Sequence, residues 1–104
     1  MIVEQRVYTL QIGKVNQFLE YYGQNGLEVQ QRILGNLIGF FYSDIGELNQ
    51  VVHLWGYESL AERERRRAVL AKDAAWLAYL SNQPPIIVRQ ENRILIPASF
   101  SPIR

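Results

Sequence analysis

Leu37 to Ser43 reads LIGFFYS, and Val51 to Tyr57 reads VVHLWGY. Both runs are short, apolar and rich in aromatic or β-branched residues, which is typical of strands. Side chains alternate between the two faces of a strand. One face of the first run carries Ile38, Phe40 and Tyr42, and the other face carries Leu37 and Phe41. One face of the second run carries Val52 and Leu54, and the other carries Val51, Trp55 and Tyr57. Because a sheet with one wet face alternates apolar with polar residues, these runs predict a sheet that is buried on both faces.

The rest of the chain supplies two more strands and two helical regions. Ile2 to Gln11 and Ile86 to Ile96 have strand character, and Asp44 to Asn49 joins the quoted runs as a hairpin loop. Helical spacing of apolar residues predicts helices between Lys14 and Ile33 and, after a capping box, between Ser59 and Leu80. With right-handed crossovers, the order βαββαβ predicts a ferredoxin-like α+β fold over residues 1–104, with a four-stranded antiparallel sheet and helices on one face.

The helices of this fold can cover only one of the two apolar faces. Burying the other face against a second copy is the simplest solution. A chain of 104 residues also gains from such pairing, because a domain of this size leaves about a third of its unfolded-chain surface exposed. We therefore expect a homodimer, with a higher oligomer left open.

Composition narrows the classes of function. The net charge of +1 gives no general attraction to nucleic acid or to an anionic membrane, and no apolar run approaches the length of a bilayer span. Cysteine is absent and there is one histidine, so no metal site, thiolate nucleophile or cofactor is predicted. Because Met1 leads directly into the first strand, we expect no targeting segment and a cytoplasmic location.

A row of polar and aromatic side chains is the candidate site. Arg6 and Tyr8 alternate along the first strand with Glu4, and the neighbouring third strand carries His53, Trp55 and Tyr57. In one hypothesis Arg6, Trp55 and Tyr57 bind an anionic or carbonyl ligand while Tyr8 and His53 act as catalytic proton donor and shuttle. In the other, Glu4 and Arg6 form a charged network at the dimer interface and His53 is structural. Which face of the sheet carries the row is left open.

The second helical region adds a further candidate. Its charged run, residues 62–67, is mostly a solvated face with i, i+4 ion pairs. The apolar stripe from Leu60 to Ala71 predicts that Glu64 points inward, with Arg65 or Arg67 at the edge of the stripe. Because an inward charge needs a partner or a polar cavity, Glu64 and Arg67 are predicted to line a pocket between helix and sheet.

Three segments of the chain resemble the NIPSNAP family. They read EQRVYTLQIGKVNQFL at residues 4–19, GELNQVVHLWGYESLAERERRRAVL at 46–70 and VRQENRILIP at 88–97. The resemblance implies membership of the dimeric α/β-barrel superfamily, in which two ferredoxin-like units pack sheet against sheet. That superfamily includes cofactor-free monooxygenases, muconolactone isomerase and haem-binding chlorite dismutases, whose ligands often lie between sheet and helices.

The resemblance implies no settled activity, since the NIPSNAP family has been linked to vesicular transport and mitochondrial quality control without one. The short chain indicates a stand-alone, bacterial-type member. The leading hypothesis is a dimer that binds a small aromatic or carbonyl-containing molecule, with a cofactor-independent enzyme as one form of that function. The alternative is a protein-interaction scaffold whose aromatic residues serve only the dimer core.

Overall fold

Four strands and four helices follow one another in the computed structural model, which describes residues 1–104. They are β1 (Ile2–Leu10), α1 (Val15–Asn25), α2 (Leu27–Leu34), β2 (Asn36–Tyr42), β3 (Gln50–Tyr57), α3 (Leu60–Lys72), α4 (Ala74–Asn82) and β4 (Ile87–Leu95). The strands form one antiparallel sheet in the order β2-β3-β1-β4. The predicted ferredoxin-like α+β fold is confirmed, and each predicted helical region consists of two consecutive helices. None of these helices has the length and apolar character needed to cross a bilayer.

Side-chain caps determine where the second helix pair begins and bends. Ser59 Oγ accepts a hydrogen bond from the Glu62 backbone N–H at 3.1 Å, and the Glu62 carboxylate accepts one from the Glu58 N–H at 2.8 Å. This is the predicted capping pair, with its second bond one residue before the N-cap. Asp73 ends α3 and also begins α4, where its Oδ1 accepts from the Trp76 N–H at 2.9 Å.

The junction of α1 and α2 depends on a glycine. A Cβ on Gly26 would lie 2.7 Å from a ring carbon of Tyr79 in α4. Real Cβ atoms do not approach so closely, so any other residue would push this ring aside. Gly26 therefore lets α4 pack directly against the first helix pair.

The helices cover one face of the sheet and form two buried apolar clusters with it. One cluster contains Ile2, Val29, Ile33, Leu34, Trp55, Tyr57 and Leu70. The other contains Leu10, Phe18, Tyr22, Val51, Tyr79 and Ile86. The aromatic side chains of β3 therefore pack beneath the helices. The hypothesis that the aromatic residues serve only a dimer core is therefore wrong for these side chains, which pack in the core of a single chain.

A bulge in β2 changes which of its side chains share a face. Leu37 pairs with Trp55 and Gly39 with Leu54, so Ile38 is the extra residue. Simple alternation placed Ile38 and Phe40 on the same side, and this prediction is wrong. Phe40 stacks on His53 beneath the helices, whereas Ile38 lines the opposite face. A β-bulge reverses the alternation after it because two residues oppose one on the neighbouring strand.

The helix-free face is apolar at its centre and partly open to solvent. Val7 of β1 pairs with Val52 of β3, and Phe41, which is 55% exposed, pairs with Val52 from the other side. At one end the C-terminal tail lies against this face, where Pro97, Ser101 and Ile103 join Val3, Ile38 and Leu54 around a groove of about 290 Å³. The outer strand β4 is polar on this side, with Arg89, Glu91 and Arg93.

Candidate functional site

The register of β1 and β3 brings the predicted row together. Arg6 pairs directly with His53, Glu4 with Trp55, and Ile2 with Tyr57. All of these side chains lie on the face that the helices cover, which answers the question that the sequence left open. The site is therefore an internal space between sheet and helices.

Glu4 is the centre of a buried charged network. Its side chain is 0% exposed, and its Oε2 accepts hydrogen bonds from Arg6 Nη1 at 3.1 Å, Arg63 Nη2 at 2.8 Å and Asn92 Nδ2 at 2.8 Å. Its Oε1 accepts from Arg63 Nε at 3.0 Å. Burial acts to raise the pKa of Glu4, but the hydrogen bonds from Arg63 and Asn92 and the charges of Arg6 and Arg63 lower it to about 2.

The sequence predicted a Glu4–Arg6 network at the dimer interface as one alternative. The network exists, but it lies between the sheet and the helices of one chain. Its partners come from α3 and β4 of the same chain, not from a second protomer. The placement at a dimer interface is therefore wrong. The physical reason is that a fully buried carboxylate needs paired donors, and the long Arg63 side chain reaches it from the helix layer.

His53 lies beside this network, enclosed by aromatic rings. Its imidazole stacks on Phe40 with ring centroids 4.6 Å apart and meets the Tyr8 ring edge-on at 4.9 Å. Only 1% of its surface is exposed. Burial, together with the positive charges of Arg6 and Arg67, lowers the pKa of His53 to about 3. The imidazole is therefore neutral near pH 7, which disfavours the predicted role as a proton shuttle.

One ring nitrogen of His53 is used and the other is free. Trp55 Nε1–H donates a hydrogen bond to His53 Nδ1 at 2.7 Å. Since Nδ1 is an acceptor in a neutral ring, the proton must reside on Nε2. That Nε2–H is buried and has no partner in the chain. It is a hydrogen-bond donor without an acceptor.

A small cavity of about 40 Å³ adjoins this ring. Aromatic residues form most of its wall, among them Tyr8, Phe18, Phe40, Trp76 and Tyr79, and His53 lines it as well. The Tyr8 hydroxyl accepts a hydrogen bond from Arg6 Nε at 3.2 Å, which leaves its own hydrogen available to donate. The residues that line the cavity therefore include apolar side chains and two residues, His53 and Tyr8, that each have a hydrogen available to donate.

The remaining predicted residues do not line this cavity. Trp55 lies fully buried behind His53 and orients it. Tyr57 is in the first apolar cluster, and its hydroxyl and Arg67 Nη1 are buried without a hydrogen-bond partner. Arg6 contributes through Tyr8 and Glu4. Burial raises the pKa of Tyr57, so its hydroxyl stays protonated.

The inward placement of Glu64 is wrong. Its side chain is 70% exposed and pairs with Arg63 on the surface. The side of α3 that faces the sheet carries Arg63, Arg67 and Leu70. The prediction for Glu64 came from a stripe of small apolar residues along the helix. The helix is instead oriented so that Arg63 pairs with the buried carboxylate of Glu4. A lone acidic residue on a central strand was the available signal for Arg63, and nothing local indicated Asn92 or Phe40.

Fold and site together define a ferredoxin-like α+β protein with a polar, aromatic-walled space between its sheet and its helices. The sequence profile of the NIPSNAP family matches residues 3–102, and the chain belongs to this family. It is 34% identical over 104 residues to Protein NipSnap homolog 2 of Homo sapiens and 33% identical to that of Danio rerio. The chain covers 35% of each of these two relatives, about a third of their length.

Solved structures of similar length share the fold throughout. A NIPSNAP family protein from Agrobacterium tumefaciens is 48% identical, with a TM-score of 0.95, and the match covers 99% of this chain and 98% of that one. A NIPSNAP-like domain protein from Burkholderia xenovorans is 49% identical, with a TM-score of 0.93 and coverage of 97% and 88%. A dimeric ferredoxin-like protein from an uncultured marine organism shares the fold at 11% identity, with a TM-score of 0.68 and coverage of 95% and 96%.

Proposed function

We propose that this chain is a homodimeric small-molecule-binding protein whose ligand lies between sheet and helices, against His53. The observation that carries the proposal is His53, which lines an aromatic-walled cavity and has a buried Nε2–H without an acceptor. A buried donor without a partner costs about 1–3 kcal/mol. A bound molecule with an acceptor oxygen would remove that cost. The proposed ligand is therefore an aromatic or carbonyl-containing compound.

The donors also define what chemistry the site supports. A neutral His53 N–H and the Tyr8 hydroxyl can both donate to one oxygen, which polarises a carbonyl group. If the protein is a cofactor-independent enzyme, His53 acts in this way and does not accept a proton near pH 7. Arg6 positions Tyr8 through the bond from its Nε.

The dimer is the second part of the proposal. The centre of the helix-free face exposes apolar side chains of β1, β2 and β3, including Val7, Phe41 and Val52. A patch of this kind on a single-layer sheet is typical of an interface. The likeness to a dimeric ferredoxin-like protein supports pairing with a second copy. Cytoplasmic location belongs to the same proposal.

A scaffold without a ligand is the competing function, and the size of the cavity favours it. A volume of about 40 Å³ has room for a few water molecules. Ordered water on His53 Nε2 would satisfy the donor equally well. The two functions therefore differ in whether an organic molecule replaces that water.

Native mass spectrometry of the protein equilibrated with a metabolite extract separates them. The parent protein should retain at least one small molecule and have the mass of a dimer. His53→Asn should lose the molecule, because Asn can still accept from Trp55 but presents no donor at the Nε2 position. Tyr42→Phe, on an exposed side chain of β2, is the matched control and should retain it. Equal retention by the parent and His53→Asn would show that the pocket is wrongly assigned.

A further inference from the structure

The charges around the cavity indicate what kind of ligand group can act as the hydrogen-bond acceptor there. Three guanidinium groups, from Arg6, Arg63 and Arg67, point into the space beneath α3, and Glu4 is the one carboxylate buried with them. Glu4 offsets one of these charges, and the exposed Glu64 shares Arg63. Arg67 keeps a buried Nη1 without a partner. A positive excess therefore remains on the helix side of the sheet.

Apart from the half-buried Gln83 and the exposed Gln90, whose amides can donate or accept, the hydrogen-bonding groups of the cavity have the same bias. His53 Nε2–H and the Tyr8 hydroxyl are available as donors. The side-chain oxygen Oε1 of Gln30 could act as an acceptor, but it already accepts a hydrogen bond from the Tyr22 hydroxyl at 2.5 Å. A ligand group that is cationic or only donates would meet positive charge and further donors. An anionic oxygen is the complementary partner.

The cavity is large enough for the end of a ligand and too small for a ring. About 40 Å³ corresponds to roughly three water-sized volumes. A cavity that holds benzene measures about 150 Å³. The three heavy atoms of a carboxylate match the smaller volume, so the rest of the ligand must lie outside.

A wider space adjoins the cavity and shares part of its lining. Gln83, Ile87 and Gln90 line both the cavity and an open groove of about 480 Å³. The groove runs beside Pro84 and Arg89, between the end of α4 and β4. The side of β4 that faces the helices is exposed at Gln90, so nothing in the chain closes this opening.

Building on the function proposed above, we infer that the pocket binds a small organic acid by its carboxylate, which accepts from His53 Nε2–H while the rest of the molecule extends past Gln90 into the groove. The bond to a carboxylate is charge-assisted, so an acid should bind at least about tenfold more tightly than the corresponding amide.

The single histidine makes the contact directly measurable. Protein labelled with ¹⁵N only in histidine gives signals from His53 alone. Hexanoate and hexanamide, which have the same chain length and differ in charge, serve as probes. Hexanoate should shift the Nε2–H signal at lower concentration than hexanamide does. Acetate should shift the same signal, because its carboxylate alone fills the cavity.

Variants separate the contact from the route. His53→Gln can place an N–H at the Nε2 position and should keep hexanoate binding, whereas His53→Asn should weaken it at least about tenfold. Val88→Trp, at a residue that lines the groove and not the cavity, should weaken hexanoate binding and leave acetate binding unchanged. Chemical shifts elsewhere in the cavity report binding to the variants, and circular dichroism confirms that they fold.

Each contrary outcome points to a different error. Equal affinity for hexanamide and hexanoate would overturn the carboxylate and leave the small-molecule function standing. Equal weakening of acetate and hexanoate by Val88→Trp, or no weakening of hexanoate, would overturn the access route. No response of the Nε2–H signal to any probe would overturn the inference as a whole. The proposed function is judged separately by retention of a metabolite, which does not depend on these probes.

Discussion

Trp55 determines which nitrogen of His53 carries the proton. The two side chains lie two residues apart on the same face of β3, and the indole N–H donates to Nδ1 at 2.7 Å. Trp55 is fully buried and lines none of the cavity. It is therefore a positioning residue, because its hydrogen bond to Nδ1 fixes the ring proton on Nε2.

Replacing Trp55 with Phe should release this constraint. With Nδ1 unpaired, the proton can move to it, and the ¹⁵N shifts of the two ring nitrogens should change from one pure tautomer toward a mixture. The free energy of unfolding should fall by about 2–4 kcal/mol, from the lost hydrogen bond and the smaller side chain. Trp76→Phe, which touches the cavity without bonding to His53, should keep the single tautomer. An unchanged tautomer in Trp55→Phe would contradict this role.

Glu4→Gln should be strongly destabilising. The change removes the negative charge that Arg6 and Arg63 share, and leaves Arg6 without an anionic partner and Arg63 with only the exposed Glu64. Removing one partner of a buried ion pair costs about 3–5 kcal/mol, measurable by urea denaturation at pH 7. Glu64→Gln breaks the surface pair with the same Arg63 and should cost less than about 0.5 kcal/mol. Similar losses in the two variants would mean that burial of Glu4 adds little.

Stability should decrease in mildly acidic solution because of His53. Its pKa is about 3 in the folded protein and 6.5 without the fold. Between these values the unfolded chain binds a proton that the folded chain does not, so the free energy of unfolding falls as the pH decreases from 6.5. One proton gives a slope of at most about 1.4 kcal/mol per pH unit.

His53→Gln should remove this slope between pH 6.5 and 4.5. The contribution of Glu4 begins lower, because its pKa is 4.5 without the fold and about 2 within it. That contribution is complete above pH 4.5 and is lost as the pH falls toward 2, in the parent and in His53→Gln alike. Urea denaturation at several pH values measures both. A slope that persists in His53→Gln would assign it to another group.

A charge on the helix-free face should separate the proposed dimer. Val52→Glu places a carboxylate at the centre of the apolar surface, where a second protomer would bury it without a partner. Light scattering should then give the mass of one chain. Val69→Glu makes the same change on α3, where the side chain is 55% exposed, and should leave the dimer intact. A parent protein that is already monomeric would remove the dimer from the proposal.

The candidate site was partly predictable from the order of the strands. A βαββαβ chain makes β1 and β3 neighbours, so Arg6 and Tyr8 had to lie near His53 and Trp55. The inward side of α3 was not predictable in the same way. The apolar stripe predicted that Glu64 faces the sheet. Arg63 faces it instead, because the buried carboxylate of Glu4, 59 residues earlier in the chain, needs a cationic partner.

By itself, the sequence determined the elements, their order and their caps, because periodicity and capping depend on residues a few positions apart. Which face carries the polar row, where β2 bulges and which charge enters the core were decided only by the tertiary structure. These features depend on strand register and on pairing buried charges between distant segments. The free donor on His53 was likewise decided only by the tertiary structure, because no neighbouring group accepts a hydrogen bond from its Nε2–H.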